Sequence, residues 1–206
     1  MTRPASQRRG DQSRRDLVSI AIDCFSRYGY QGTTIDRIAR AAGVTKGALY
    51  YHFKDKEELL LGALDDRIDG FERRVVDRVT ALKDPVAALY AVAEICVEQA
   101  TISNHRRFIL TLMVEALDTH PELSARFRGM MRRFRDFLAN TVAIGQRKSA
   151  FRKDVEPTLA AQLFVGALFG TEIQYYQDPE AIDLRESMNA VVDQFRSWIG
   201  SAPTPE

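Results

Sequence analysis

Apolar residues recur at helical spacing along nearly the whole chain, and strand-like alternation is almost absent. Near the start, Leu17, Val18, Ala21, Cys24, Phe25 and Tyr28 follow the steps of one apolar helix stripe. Leu184, Met188, Val191, Val192, Phe195, Trp198 and Ile199 repeat the device near the end. Asp84-Pro85, His120-Pro121, Glu156-Pro157 and Asp178-Pro179 mark helix starts, where proline fits because no amide hydrogen is needed. Asp55 with Glu58 reads as a capping box with Asp in the usual Ser or Thr place. These features predict an all-α chain of about nine helices. Three short ones precede Lys54, a connecting helix spans 55–82, and five more fill 85–101, 104–118, 121–148, 157–177 and 181–199. Residues 1–12, a polar basic tail, and 201–206 are expected to be disordered.

Composition narrows the class. The 206 residues are 45% hydrophobic and 28% charged, which suits a globular fold with a core. Cys24 and Cys96 both lie in apolar helical stretches and read as buried thiols in a reducing compartment. The basic N-terminus has no apolar run behind it, and Leu159–Ile173, read as the most apolar stretch, is broken by Gln162 and Glu172. A cytoplasmic protein with no membrane partner is therefore expected. The net charge of +1 hides an asymmetry. Residues 1–55 carry ten Lys and Arg against five acids, whereas the remainder carries 19 against 23. A basic end on a mildly acidic body points to a polyanion partner at that end.

The segment 34–53 gives this charge a purpose. It reads TIDRIARAAGVTKGALYYHF, the layout of two short helices crossing steeply. Ala39 is the small contact, and Gly43 supplies the turn that needs positive φ. Ile35, Ile38, Ala42, Val44, Leu49 and Phe53 are the apolar wedge, and Thr34 and Thr45 stand at N-cap positions. What remains is a polar and aromatic strip: Thr45, Lys46, Gly47, Tyr50, Tyr51 and His52. Lysine donates to guanine O6 or N7 or to a phosphate, glycine lets the backbone approach a base edge, and the aromatic donors suit phosphates and sugars. Lys56 and Thr34 stand at helix starts, where exposed amides favour a phosphate. The competing reading makes Tyr50 and Tyr51 core aromatics and the lysines solvated charges. The basic tail, with Arg8, Arg9, Arg14 and Arg15, either reaches a minor groove or is simply solvated.

Gly32-Thr33-Thr34-Ile35, Ile38-Ala39, the run Ala42 to Phe53, Asp55-Lys56 and Leu59-Leu60 together resemble the DNA-binding domain of the tetracycline-repressor (TetR) family over residues 14–62. His52, where a generic helix-turn-helix carries an apolar residue, strengthens that resemblance. The resemblance implies a three-helix DNA-binding domain at 13–56, with its motif at 34–53, and a helical ligand-binding and dimerisation domain at 57–200. It also implies DNA contacts from Thr34, Thr45, Lys46, Gly47, Tyr50, Tyr51, His52 and Lys56. The function it implies is that of a dimeric repressor released from a palindromic operator by a small effector.

The C-terminal body holds the other candidates. For a dimer face the sequence offers Leu163, Gly166, Ala167 and Gly170 in one helix, and Met188, Val191, Val192, Phe195 and Trp198 in the last; ordinary packing within one chain is the alternative. For a ligand pocket it offers Phe108, Leu112, Met113 and Glu115, then Phe127, Met130, Met131 and Phe134, then Phe169, Glu172 and Tyr175. Met and Phe line adaptable apolar cavities and equally well fill a core. An enzyme is disfavoured, because there is no Glu-x-x-His pair, no His-Glu-x-x-His, no phosphate-cradling glycine loop and no paired cysteines. No metal or cofactor is expected. A DNA-binding dimer without a ligand switch is the nearer rival.

Overall fold

The computed structural model describes residues 5–102 and 104–200, and the side chains of all these except 5–12, 118 and 119. Nine helices account for nearly all of the described residues: α1 Ala5–Gly32, α2 Ile35–Ala41, α3 Lys46–His52, α4 Lys56–Thr80, α5 Pro85–Ile102, α6 His105–Thr119, α7 Pro121–Arg147, α8 Pro157–Gln177 and α9 Leu184–Ile199. An isolated bridge, Phe151 with Gly200, is the one extended pairing among them.

Prolines open α5, α7 and α8 where the sequence places them. The capping box at α4 forms in modified shape: Asp55 accepts from the Glu58 amide at 2.8 Å, while Glu58 reaches back to the Lys54 amide at 2.7 Å. Two expectations are corrected. The tail at 1–12 is helical from Ala5, because Ala5, Gln7, Arg8, Arg9 and Gln12 are helix-compatible and α1 contains no proline. Residues 1–4 and 201–206 lie outside the described residues. The last helix starts at Leu184 rather than 181, since Asp183 caps it by accepting from the Glu186 amide at 2.9 Å. Asp178 instead accepts from the Ala181 amide, which holds the residues after Pro179 in a turn.

The chain forms two compact units, Met1–Gly70 with Asn104–Ser124, and Phe71–Ser103 with Ala125–Glu206. In the first, α1 packs against α2 and α6, and α2 against α3. Leu17, Val18, Ala21, Cys24 and Phe25 bury their stripe as expected, and Phe25 stacks on Phe108 of α6 with centroids 6.3 Å apart. Tyr28 does not join them and stays 43% exposed. This unit therefore includes α6 and the first half of α4 along with the three N-terminal helices.

The second unit is built on α5, α8 and α9. By length and composition α5 could cross a membrane, and it is more apolar than the sequence reading allowed; here Leu89, Val92, Ala93, Ile95 and Cys96 are buried in the core. On α9 the expected single stripe divides. Leu184, Met188, Val192, Phe195 and Ile199 are buried, whereas Val191 and Trp198, each one residue before a core position, are rotated by about 100° from it.

Candidate nucleic-acid interface

The elbow between α2 and α3 is set by backbone chemistry. Gly43 adopts φ 66°, and the Val44 amide donates to the Ala39 carbonyl at 3.0 Å across the turn. A Cβ on Gly43 would meet nothing within 4 Å, so the demand for glycine is purely conformational. Gly43→Ala is accordingly expected to lower stability by about 1–2 kcal/mol without a clash, measured by chemical denaturation, and Gly43→Asn by less.

Both threonine caps form. Thr34 accepts from the Arg37 amide and Thr45 from the Ala48 amide, each at 3.2 Å. Ile38, Ala39, Leu49 and Phe53 are buried between the helices. Ile35 and Ala42 are only half-buried, and Val44 is 37% exposed, so Val44 leaves the predicted wedge. Sequence reasoning gave Thr33 no role, yet it is fully buried, with its hydroxyl 2.7 Å from the Gly29 carbonyl and 3.1 Å from that of Cys24. Gly29 has φ 71°, so Thr33 ties down the kink that ends α1 and aims α2. The adjacent Thr-Thr pair was the available clue: one threonine caps and the other locks.

With the elbow fixed, α3 turns its strip outward. Tyr51 is 84% exposed and Tyr50 is 47% exposed, which rules out the core reading for both. Gly47 and Lys46 are exposed, and His52 is half-buried with its ring edge-on to Tyr51 at 5.0 Å. Lys46 donates to Asp36 at 3.1 Å, a contact that raises its pKa above the ordinary lysine value. This bridge between the first turns of α2 and α3 holds the ammonium beside the strip. Lys56 is more occupied than expected: it donates to the Tyr30 carbonyl at 2.9 Å and lies 4.1 Å from the centre of the Tyr30 ring. Burial pushes the Tyr30 phenol pKa up. Arg14, assigned to the tail in the sequence, belongs to α1 and stacks over Phe53 at 4.7 Å. The eight expected contacts thus share one unit, with Thr34 and Thr45 engaged as caps, Lys46 exposed but paired with Asp36, and Tyr50 and Tyr51 the most available.

Residues 17–63 match the family model for bacterial regulatory proteins of the tetR family, and residues 85–191 match the tetracyclin repressor-like C-terminal domain. The chain belongs to the tetracycline-repressor family. It is a DNA-binding transcriptional regulator with the all-α fold of that family. The HTH-type transcriptional repressor KstR2 of Rhodococcus jostii is 30% identical over 162 residues, covering 76% of this chain and 77% of that protein. A TetR transcriptional regulator from Chloroflexus aurantiacus superposes with a TM-score of 0.82 at 24% identity, over 95% of this chain and all of that one. FadR of Bacillus subtilis, solved in complex with stearoyl-CoA, gives 0.78 at 19% identity, over 89% and 98%.

The remaining candidates are distributed by this fold. Of the pocket set, Leu112 is buried, Phe108 and Met113 are half-buried and Glu115 is exposed, all on α6 in the first unit. In the second, Phe127, Met130, Phe134, Phe169 and Glu172 are buried, and Met131 and Tyr175 are half-buried. Phe134 packs edge-on to Phe71 at 5.5 Å. Of the dimer set, Met188 and Val192 have no exposed surface, so they serve the protomer's own core and are removed from a candidate interface. Leu163, Ala167, Val191, Phe195 and Trp198 instead line an apolar groove of about 680 Å³ between α8 and α9, with Gly166 exposed and Gly170 half-exposed on the same helix.

Proposed function

We propose that the chain acts as a homodimeric repressor, holding a palindromic operator through two copies of the α3 strip. The observation that carries this reading is the outward Lys46–Tyr50–Tyr51 strip held by the Gly43 elbow. Lys46, Gly47 and Tyr50 are assigned to base edges and neighbouring phosphates, and Tyr51, His52, Thr34 and Lys56 to the backbone. The DNA-binding part is residues 13–56, and the remainder to 200 serves dimerisation and effector binding. The protein works by binding rather than catalysis, in the cytoplasm, on its operator.

The groove on α8 and α9 supports the dimer. A Cβ at Gly166 or Gly170 would meet nothing within 4 Å, so neither glycine is required by packing inside the protomer. Both leave α8 flat where a second copy can approach, beside Leu163, which is 51% exposed. A helix-turn-helix dimer reads half-sites about 34–36 Å apart, or multiples of that spacing.

The effector is assigned to a small, largely apolar molecule held among Phe127, Met130, Met131 and Phe134 of α7 and Phe169 of α8, all within the second unit. The stearoyl-CoA bound by the Bacillus regulator is consistent with an apolar chain as its recognised part. Because α4 is one continuous helix that begins beside α3, a shift in its second half changes the placement of the strip. DNase footprinting on fragments selected from genomic DNA is expected to show one protected palindrome, and an added acyl-CoA or other apolar ligand to weaken it about 5–150-fold. Uniform protection without a preferred site would remove the operator reading. Ligand binding that leaves the footprint unchanged would remove the switch.

A further inference from the structure

A second basic feature lies outside the α3 strip. Asp23, Arg27 and Tyr28 of α1 and Arg37 and Arg40 of α2 line a concave groove of about 580 Å³. Two guanidiniums approach the Tyr28 ring, the Arg37 carbon at 4.1 Å and the Arg27 carbon at 5.5 Å from its centre. Arg37 also donates to the Gly32 carbonyl at 2.9 Å, which fixes its direction. No carboxylate pairs with Arg27, Arg37 or Arg40 among the described residues, because the nearby acids are engaged elsewhere. Asp36 holds Lys46, and Asp23 meets the His105 ring nitrogen at 2.5 Å.

Three guanidiniums against the single carboxylate of Asp23 leave the groove with an excess of positive charge, which a bound anion would offset. Guanidinium is suited to phosphate because its planar fork donates two parallel hydrogen bonds. The position of the groove names the source. Arg37 lies one turn beyond Thr34, on the helix that crosses the sugar-phosphate backbone when its partner helix enters the major groove. We propose that Arg27, Arg37 and Arg40 form a second phosphate rail, gripping backbone that flanks the bases read by α3. This rests on the DNA-binding reading and widens it: the rail adds affinity and salt dependence but no base preference. It also gives Tyr28, exposed against the sequence expectation, the role of an aromatic contact for two of the arginines.

The test is the salt dependence of duplex binding by the full-length chain. Arg27→Gln with Arg40→Gln leaves Arg37 and its carbonyl contact in place. Affinity for a labelled random-sequence duplex is followed by anisotropy across a salt series, with circular dichroism confirming the fold. The slope of log affinity against log salt is expected to be shallower by about 1.8, two phosphate contacts at about 0.9 each, with the preferred sequence unchanged. The matched pair Arg128→Gln with Arg132→Gln on α7 is expected to leave the slope as it was. An unaltered slope in the groove variant overturns the rail, and so does an equal loss in the α7 control, which would reveal a net-charge effect. Saturation of the groove by inorganic phosphate in an NMR titration, together with an unaltered duplex slope, would assign it to a free anion and equally overturn the rail. A parent chain that binds no duplex at all would overturn the DNA-binding reading itself.

Discussion

Leu163→Glu is expected to leave each protomer folded, release it as a monomer and weaken operator binding by about 10²–10⁴-fold. Leu163 is 51% exposed, so the protomer loses little packing when it is replaced. In the proposed dimer the same side chain sits in the α8–α9 groove beside Ala167, Val191 and Trp198, where a carboxylate would be stripped of water without a partner. The loss at the operator follows because one helix-turn-helix binding alone forfeits the effective concentration of its twin. Sedimentation measures the mass and anisotropy the affinity. A variant that stays dimeric would move the interface elsewhere, and a monomer with unimpaired operator binding would remove the two-fold mechanism.

Gly145→Ala is expected to lower the melting temperature by roughly 2–12 °C, from an overpacking cost of about 1–3 kcal/mol. A Cβ at Gly145 would fall 2.0 Å from Cδ2 and 2.3 Å from Cε2 of the Phe151 ring. The ring has little freedom to withdraw. Phe151 is 1% exposed, pairs with Gly200 in the isolated bridge, and is followed by an Arg152 amide that donates to the Ile199 carbonyl at 2.8 Å. The effect belongs to the second unit, so the helix-turn-helix strip should keep its geometry. Differential scanning calorimetry checks the shift, and an unchanged transition would show that the Phe151 ring can move aside.

These features were unequally legible. The helix-turn-helix could be read from the sequence because each of its residues acts on near neighbours. Gly43 makes a positive-φ turn, Thr34 and Thr45 cap, and Ile38, Leu49 and Phe53 fill a gap that only short crossed helices create. The all-α class and most helix starts were legible for the same reason, since proline and capping signals act within a few residues. The two faces of α9 were not. Met188 and Val192 differ from Val191 and Trp198 by a rotation of the helix, and only the packing of α9 on α5 and α8 decides which pair is covered. Lys56 stands at a helix start as the sequence places it, yet its hold on Tyr30 depends on a residue 26 positions away. The arginine groove was invisible because Arg27 and Arg40 come together only when Gly29 breaks α1 and returns the chain along it.

Sequence recognition by the α3 strip is measured by comparing the parent with Lys46→Ala and Tyr50→Ala combined, on the selected operator and on a scrambled duplex of equal length. Both residues are exposed, and the Lys46–Asp36 pair lost with them is a solvent-exposed one that contributes little, so the variant should melt close to the parent. Discrimination between the two duplexes is expected to fall by at least about tenfold, the loss of one or more contacts worth about 1–3 kcal/mol each. Equal discrimination by parent and variant would contradict recognition by the strip.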